Sequence, residues 1–370
     1  MNTNNIWRSL AYIIAILLAS PAVHAEISIA VVGPISGSSL AIGEQMELGA
    51  QKAVDHLNEN GGLLGEQVAL TSLDDACEPD QAEAVARQLV SEGVKFVVGH
   101  ACSGASIAAM GIYEKAGIIM MSPASTNPRF TEEGGRNVFR VIGRDDQQGV
   151  IAADYMANNF ADSNIAILHD GNAYSLGLTE ITKQKLNENG VTEVMFDTFL
   201  PEQTEYTSMI DKLVAAEIDT VYGVGNQYDV AILLREAKTR LPDLFLISSD
   251  SLVGEEFVYT AGEAGIGTYF TFGPDFRTKP DAASIVEAFR EEDAFEPEGY
   301  TLYSYSVIQA WSQAVQQAGT IESEAVIAAL QTGSFDTVIG KIGFDDEGDV
   351  TGVDNFIWYV FEEDKYVPAE

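Results

Sequence analysis

The chain has 370 residues, is 46% hydrophobic, and sets 20 basic against 56 acidic residues, a formal charge of −36. The length fits two domains better than one. The charge argues against nucleic acid and anionic lipid as partners, because both would be repelled. The acids are scattered, as at Glu44, Glu47, Glu59, Glu66, Glu78 and Glu83, which describes a solvated acidic surface rather than a cation store. The tightest cluster, Asp345-Asp346-Glu347-Gly348-Asp349, lacks EF-hand spacing and reads as a turn. No metal and no cofactor is expected.

The first 25 residues differ from the rest. Arg8 precedes an apolar run from Leu10 to Ala19, and Pro21 and Val23-His24-Ala25 follow. This is the pattern of a signal peptide, with cleavage expected after Ala25. The run is ten residues long, short of the ~20 that span a bilayer as a helix. No cysteine follows it as a lipid acceptor, and no later stretch is apolar enough to span a membrane. The expectation is an exported, soluble chain.

Short apolar runs then alternate with longer amphipathic ones. Strands are expected at Ile27–Val32, Val68–Leu73, Lys95–Gly99 and Ile118–Met121, separated by helices at Gly43–Asn60, Asp80–Ser91 and Ser103–Ala116. The segment Val138–Gly149 is less regular. The rhythm resumes with strands at Ile165–Leu168, Glu193–Thr198, Thr220–Val224 and Leu244–Ser248. Helices at Tyr174–Asn189, Tyr206–Ala216 and Tyr228–Arg240 lie between them. The tail is mixed, with helices near Ala282–Glu291, Tyr300–Ala318 and Glu322–Leu330 and strands near Phe335–Phe344 and Asn355–Phe361. Continuously apolar strands alternating with helices predict an α/β fold with parallel sheets covered on both faces. Two runs of the pattern predict two such units.

Cys77 and Cys102 are the only cysteines. An even count in an exported chain favours a disulfide over two buried thiols or a metal pair. Ligands of parallel α/β sheets bind beyond the carboxyl ends of the strands, where helix N-termini offer free N–H groups. The first such turn, Gly33-Pro34-Ile35-Ser36-Gly37, has neither dinucleotide spacing nor a P-loop lysine. Ser103 follows the third strand. It can cap a helix or bind a ligand carboxylate, and the residues leave both open. The turn Ser122-Pro123-Ala124-Ser125-Thr126-Asn127-Pro128 offers carbonyls and hydroxyls that suit an ammonium, or it is an ordinary turn. No nucleophile–base pair stands out. His100 is the one candidate base near Ser103 and is expected to pack at a strand end, so no enzyme is expected.

Several segments together resemble the periplasmic leucine/isoleucine/valine-binding proteins, the type I solute-binding partners of ABC importers. They are Val31-Val32-Gly33-Pro34-Ile35-Ser36-Gly37, Asp74-Asp75-Ala76-Cys77-Glu78-Pro79, Gly99-His100-Ala101-Cys102-Ser103, Pro123-Ala124-Ser125-Thr126, His169-Asp170, Val338-Ile339-Gly340, Phe344-Asp345 and Gly348-Asp349. The resemblance implies two Rossmann-like lobes with parallel central sheets joined by a multi-strand hinge. The lobes would be 26–144 with 275–352, and 145–274 with 353–370. It implies a monomer in the periplasm that traps an amino acid, branched-chain favoured, and hands it to the permease subunits of an ABC transporter. Ser103 would bind the ligand carboxylate, and Ala124 and Thr126, with Ser125 between them, would hold its polar head. Tyr174 would close over it and Asp250 would pair with its ammonium. Three positions depart from the family: Ile42 stands where an aromatic is common, Asn226 where a tyrosine is, and Asp250 where a glutamate is usual. They leave an amide, urea or other small carboxylate ligand as the alternative.

Overall fold

The computed structural model describes residues 26–354, 356–363 and 365–369. The expected leader and its cleavage point after Ala25 lie outside the described residues, as does Asn355 at the start of one expected strand.

The first sheet is built from β1 (Glu26–Gly33), β2 (Gln67–Asp74), β3 (Phe96–Gly99), β4 (Ile119–Ser122) and β5 (Val138–Arg140). Its order is β2-β1-β3-β4-β5, all parallel. Apart from half-exposed β2, these strands are buried almost throughout. That is the burial a parallel sheet between two helical layers demands. Helices α1 (Leu40–Glu59), α2 (Pro79–Glu92) and α3 (Ser103–Ala116) connect the first four strands, and one turn, α4 (Arg129–Glu132), leads to β5.

Helix α5 (Asp145–Asn159) leads into the second sheet. Its strands β6 (Ile165–His169), β7 (Met195–Thr198), β8 (Thr220–Val224), β9 (Phe245–Ser248) and β10 (Tyr269–Phe272) are parallel. Helices α6 (Ala173–Glu188), α7 (Thr207–Ala215), α8 (Gln227–Lys238) and the short α9 (Glu256–Ala261) alternate with them. The tail then returns to the first unit. Helices α10 (Ala283–Glu292), α11 (Thr301–Ala318) and α12 (Ser323–Thr332) follow, with α11 lying on α1 and against β3 and β4. Trp311 of α11 stacks on Phe96 of β3 at 4.7 Å. Burying such a side chain contributes roughly 1.5–3 kcal/mol.

A small antiparallel sheet, β11 (Phe335–Thr337), β12 (Gly340–Phe344) and β13 (Val350–Thr351), comes next. The last strands, β14 (Ile357–Phe361) and β15 (Tyr366–Pro368), finish the second sheet, whose order is β15-β14-β10-β9-β8-β6-β7. β14 runs antiparallel to β10.

Two differences from the expected elements matter for the site. The irregular stretch Val138–Gly149 contains β5 and the start of α5, and β10 lies between Ser248 and Ala282, where no element was expected. Gly149 disguises the helix. An added Cβ there would meet Ile181 Cγ2 at 2.8 Å, so close packing on α6, not a turn, calls for glycine.

Candidate functional site

The carboxyl ends of the first-sheet strands are held by a buried polar framework. Cys77 and Cys102 form a disulfide that ties the β2–α2 loop to the N-cap of α3. Asp75 accepts the Cys77 N–H at 2.9 Å through Oδ1, and its Oδ2 lies 2.6 Å from His100 Nδ1. His100 Nε2 meets the Tyr113 hydroxyl at 3.0 Å. With both ring nitrogens engaged, His100 serves the scaffold and not Ser103.

Ser103 opens α3 and is buried, and its Oγ accepts the Asn127 N–H at 3.3 Å. The Pro123–Pro128 turn is fixed by Arg140, fully buried on β5. Arg140 donates to the Ser125 carbonyl at 2.8 Å, the Asn127 carbonyl at 3.0 Å, the Thr131 hydroxyl at 2.7 Å and Asp349 Oδ1 at 2.6 Å. Ser125 turns its hydroxyl inward, to the Ala101 carbonyl at 2.9 Å and Ser106 Oγ at 2.7 Å. Ala124 is buried, and Thr126 is fully buried with no hydrogen-bond partner for its Oγ1 among the described residues.

The second sheet supplies the facing groups. Asn172 caps α6 by accepting the Ser175 N–H at 2.8 Å, which places Tyr174 in the first turn. The Tyr174 hydroxyl donates to Asp250 Oδ1 at 2.6 Å and lies 2.7 Å from Ser249 Oγ. Asp250 follows β9 and is buried. It also accepts from Gln148 Nε2 at 2.9 Å and, on Oδ2, from the Tyr300 hydroxyl at 2.8 Å. Burial pushes the Asp250 carboxyl up, against these hydrogen bonds. Asp145, at the first position of α5, is pushed well up by burial first and by the charge on Asp250 second. Burial, and then Asp250, hold the Tyr174 and Tyr300 phenols well above the usual range.

Ser103, Ala124 and Thr126 therefore gather at one set of strand ends, and Tyr174 and Asp250 at the other. Asn226 behaves differently. Its Oδ1 caps α8 through the Tyr228 N–H at 2.9 Å, while its Nδ2 donates to the Ser38 carbonyl at 2.9 Å and Ser39 Oγ at 2.8 Å. Its amide thus joins the two units. Ile42 is half-buried against the core near the start of α1. Three residues here were not singled out from sequence: Gln148, Asp145 and Tyr300. Gln148 and Tyr300 meet Asp250 across 102 and 50 residues. Among the described residues no cluster of three or more His, Cys, Asp or Glu could hold a metal ion, and no helix is long and apolar enough to cross a membrane.

The Periplasmic binding protein family model matches residues 26–363. The Leu/Ile/Val-binding protein homolog 2 of Brucella abortus is 40% identical over 345 residues, covering 92% of this chain and 93% of that protein. The Leu/Ile/Val-binding protein homolog 1 of Brucella suis is 37% identical over 350 residues, 94% of each chain. Among solved structures, the leucine binding protein LivK of Thermotoga maritima aligns with a TM-score of 0.85 at 25% identity, over 93% of this chain and 98% of that one. The substrate-binding protein LivJ of Streptococcus pneumoniae, in complex with isoleucine, aligns with a TM-score of 0.82 at 25% identity, over 92% and 98%.

Proposed function

Since the chain belongs to the periplasmic binding protein family, we propose that it is the substrate-binding component of an ABC importer, and that it takes an amino acid, branched-chain favoured, between two lobes. The lobes are 26–144 with 275–352, and 145–274 with 353–370. The chain acts as an exported monomer and delivers the ligand to the permease subunits without catalysis.

The observation that carries this reading is Asp250. It is a buried carboxylate satisfied by Tyr174, Gln148 and Tyr300, all neutral donors, at the strand ends opposite Ser103 and Thr126. An α-amino acid complements that arrangement. Its ammonium neutralises Asp250, with Thr126 and the Ala124 carbonyl as further acceptors. Its carboxylate takes the N-terminus of α3 at Ser103, where free N–H groups and the helix dipole favour an anion. Closure of the lobes excludes water, and each charge-assisted bond gains strength in the drier site. The isoleucine bound in the Streptococcus pneumoniae relative supports the branched-chain preference. The amide or urea alternative rested on Asn226, whose amide is committed to Ser38 and Ser39.

A thermal-shift panel of leucine, isoleucine, valine, polar amino acids, urea and short amides, followed by calorimetry, tests the reading. Branched-chain amino acids should raise the melting temperature most, and Ser103→Ala and Asp250→Ala should each weaken binding by about tenfold or more. A panel in which no amino acid shifts the melt, or near-normal affinity in both variants, overturns it.

A further inference from the structure

Asp250 has a companion. Asp145 is fully buried, and one side chain ties the two carboxylates together. Gln148 Nε2 donates to Asp145 Oδ1 at 3.2 Å and to Asp250 Oδ1 at 2.9 Å. The orientation of that amide is fixed. The Asp250 backbone N–H can only donate, and it ends on Gln148 Oε1 at 3.1 Å; the Thr271 hydroxyl reaches the same oxygen at 2.6 Å. Two acids thus approach one NH₂ group from two sides.

Among the described residues neither acid forms an ion pair. The nearby guanidinium groups are committed elsewhere, Arg140 to Asp349 and Arg144 to Glu132, Asp146, Glu347 and Asp349. Asp145 Oδ2 and Thr126 Oγ1 meet no well-formed hydrogen bond among those residues, although the Thr126 hydroxyl lies near enough to Asp145 to favour its ionised form against the effect of burial. Both are fully buried, and their backbones touch, since the Asp145 N–H donates to the Thr126 carbonyl at 2.9 Å. Burying one unpaired carboxylate costs several kcal/mol, and a second beside it adds repulsion. A cation reaching both would relieve the two costs together.

We propose that Asp145 and Asp250 form a single cation-binding pair, and that the ligand's ammonium is shared between them, with Asp145 Oδ2 and Thr126 Oγ1 as its additional acceptors. This rests on the amino-acid reading and adds to it. The ligand is selected for a protonated amine by two acids rather than one, and Gln148 holds them in register. A carboxylate lacking the amine brings no cation to the two buried acids, whose near partners are neutral donors, with the charge of Arg140 acting on Asp145 without an ion pair.

The test compares leucine with 4-methylpentanoate, its analogue without the amine, on the wild-type chain and on Asp145→Asn. Leucine Kd should rise by about tenfold or more in the variant, while binding of 4-methylpentanoate does not weaken and the ligand-free melting temperature does not fall. Leucine affinity within about twofold of wild type, or an equal loss for both ligands, overturns the proposal. If Asp145→Asn does not fold, Asp145→Ser, which retains a residue suited to a helix start, is read in the same way. The two failures are distinguishable: a wild-type chain that binds no amino acid sinks the function, whereas normal wild-type binding with an indifferent variant sinks only the pair.

Discussion

Asp145 shows how burial converts an ordinary surface residue type into a liability that a ligand can relieve. In the sequence it stands in Arg144-Asp145-Asp146-Gln147-Gln148, which reads as one more stretch of solvated acid and amide. In the fold Asp146 stays outside, paired with Arg144, while Asp145 and Gln148 turn inward. Nothing local distinguishes the two aspartates. Only packing of α5 against the second unit does. Tyr300 and Gln148 were illegible for the same reason, because their partner is far along the chain and neither has a signature of its own. Ser103, Thr126 and Tyr174 were legible through the resemblance, since short segments carry their setting. Raised carboxyls have a defined sign in stability. Below the unfolded value near 4 both states are protonated. As pH rises from there through the folded value, the native state resists losing its proton and stability falls. Asp145→Asn removes that loss. Ligand-free urea melts should show the variant more stable than wild type at pH 7, with the advantage shrinking toward pH 4.

At the level of elements, the parallel strands were the most legible feature. β8 and α3 lie where expected, and most other ends moved by one to three residues. Continuous apolar runs bounded by turn residues leave little freedom there. The misses were β5, β10, the whole of α5, and the short α4, α9, β13 and β15, where length or an internal glycine weakens the pattern. Glycines inside helices carry opposite meanings depending on what faces them. At Gly49 of α1 an added Cβ would lie 2.1 Å from the Thr301 carbonyl oxygen, a backbone atom of α11 that cannot swing aside. At Gly111 of α3 nothing lies within 4 Å. Gly49→Ala should therefore destabilise by roughly 1–3 kcal/mol through overpacking, while Gly111→Ala should stabilise by about 0.5–1 kcal/mol through helix propensity. Denaturant midpoints of the two variants, compared with wild type at unchanged slope, check both.

Across the whole molecule, a few polar contacts join the units. Tyr300, at the start of α11, reaches Asp250 beyond β9, Asn226 reaches the β1–α1 turn, and Asn127 donates to the Ala173 carbonyl at 2.8 Å. These are the bonds that opening would break. Asn226→Ala removes one without touching the proposed head-group contacts at Ser103 or Asp250. It breaks the two bonds to Ser38 and Ser39, so it should raise the ligand off-rate by roughly tenfold or more and leave the on-rate nearly unchanged. Stopped-flow fluorescence of the release step reads this directly, and an effect confined to the on-rate would show that the contact does not hold the closed form.

The return of the tail to both sheets governs the order in which the fold can be finished. β10 is complete by Phe272, yet its neighbour β14 begins only at Ile357, and α11, which covers β3 and β4, starts at Thr301. A chain emerging from its N-terminus therefore holds β10 with one row of N–H and C=O groups unpaired until β14 has appeared. Such an edge is a template for wrong pairing, and the uncovered face of the first sheet adds apolar surface to the hazard. A chain cut short before β14 would keep most of its helices and still lack the strand that pairs with β10.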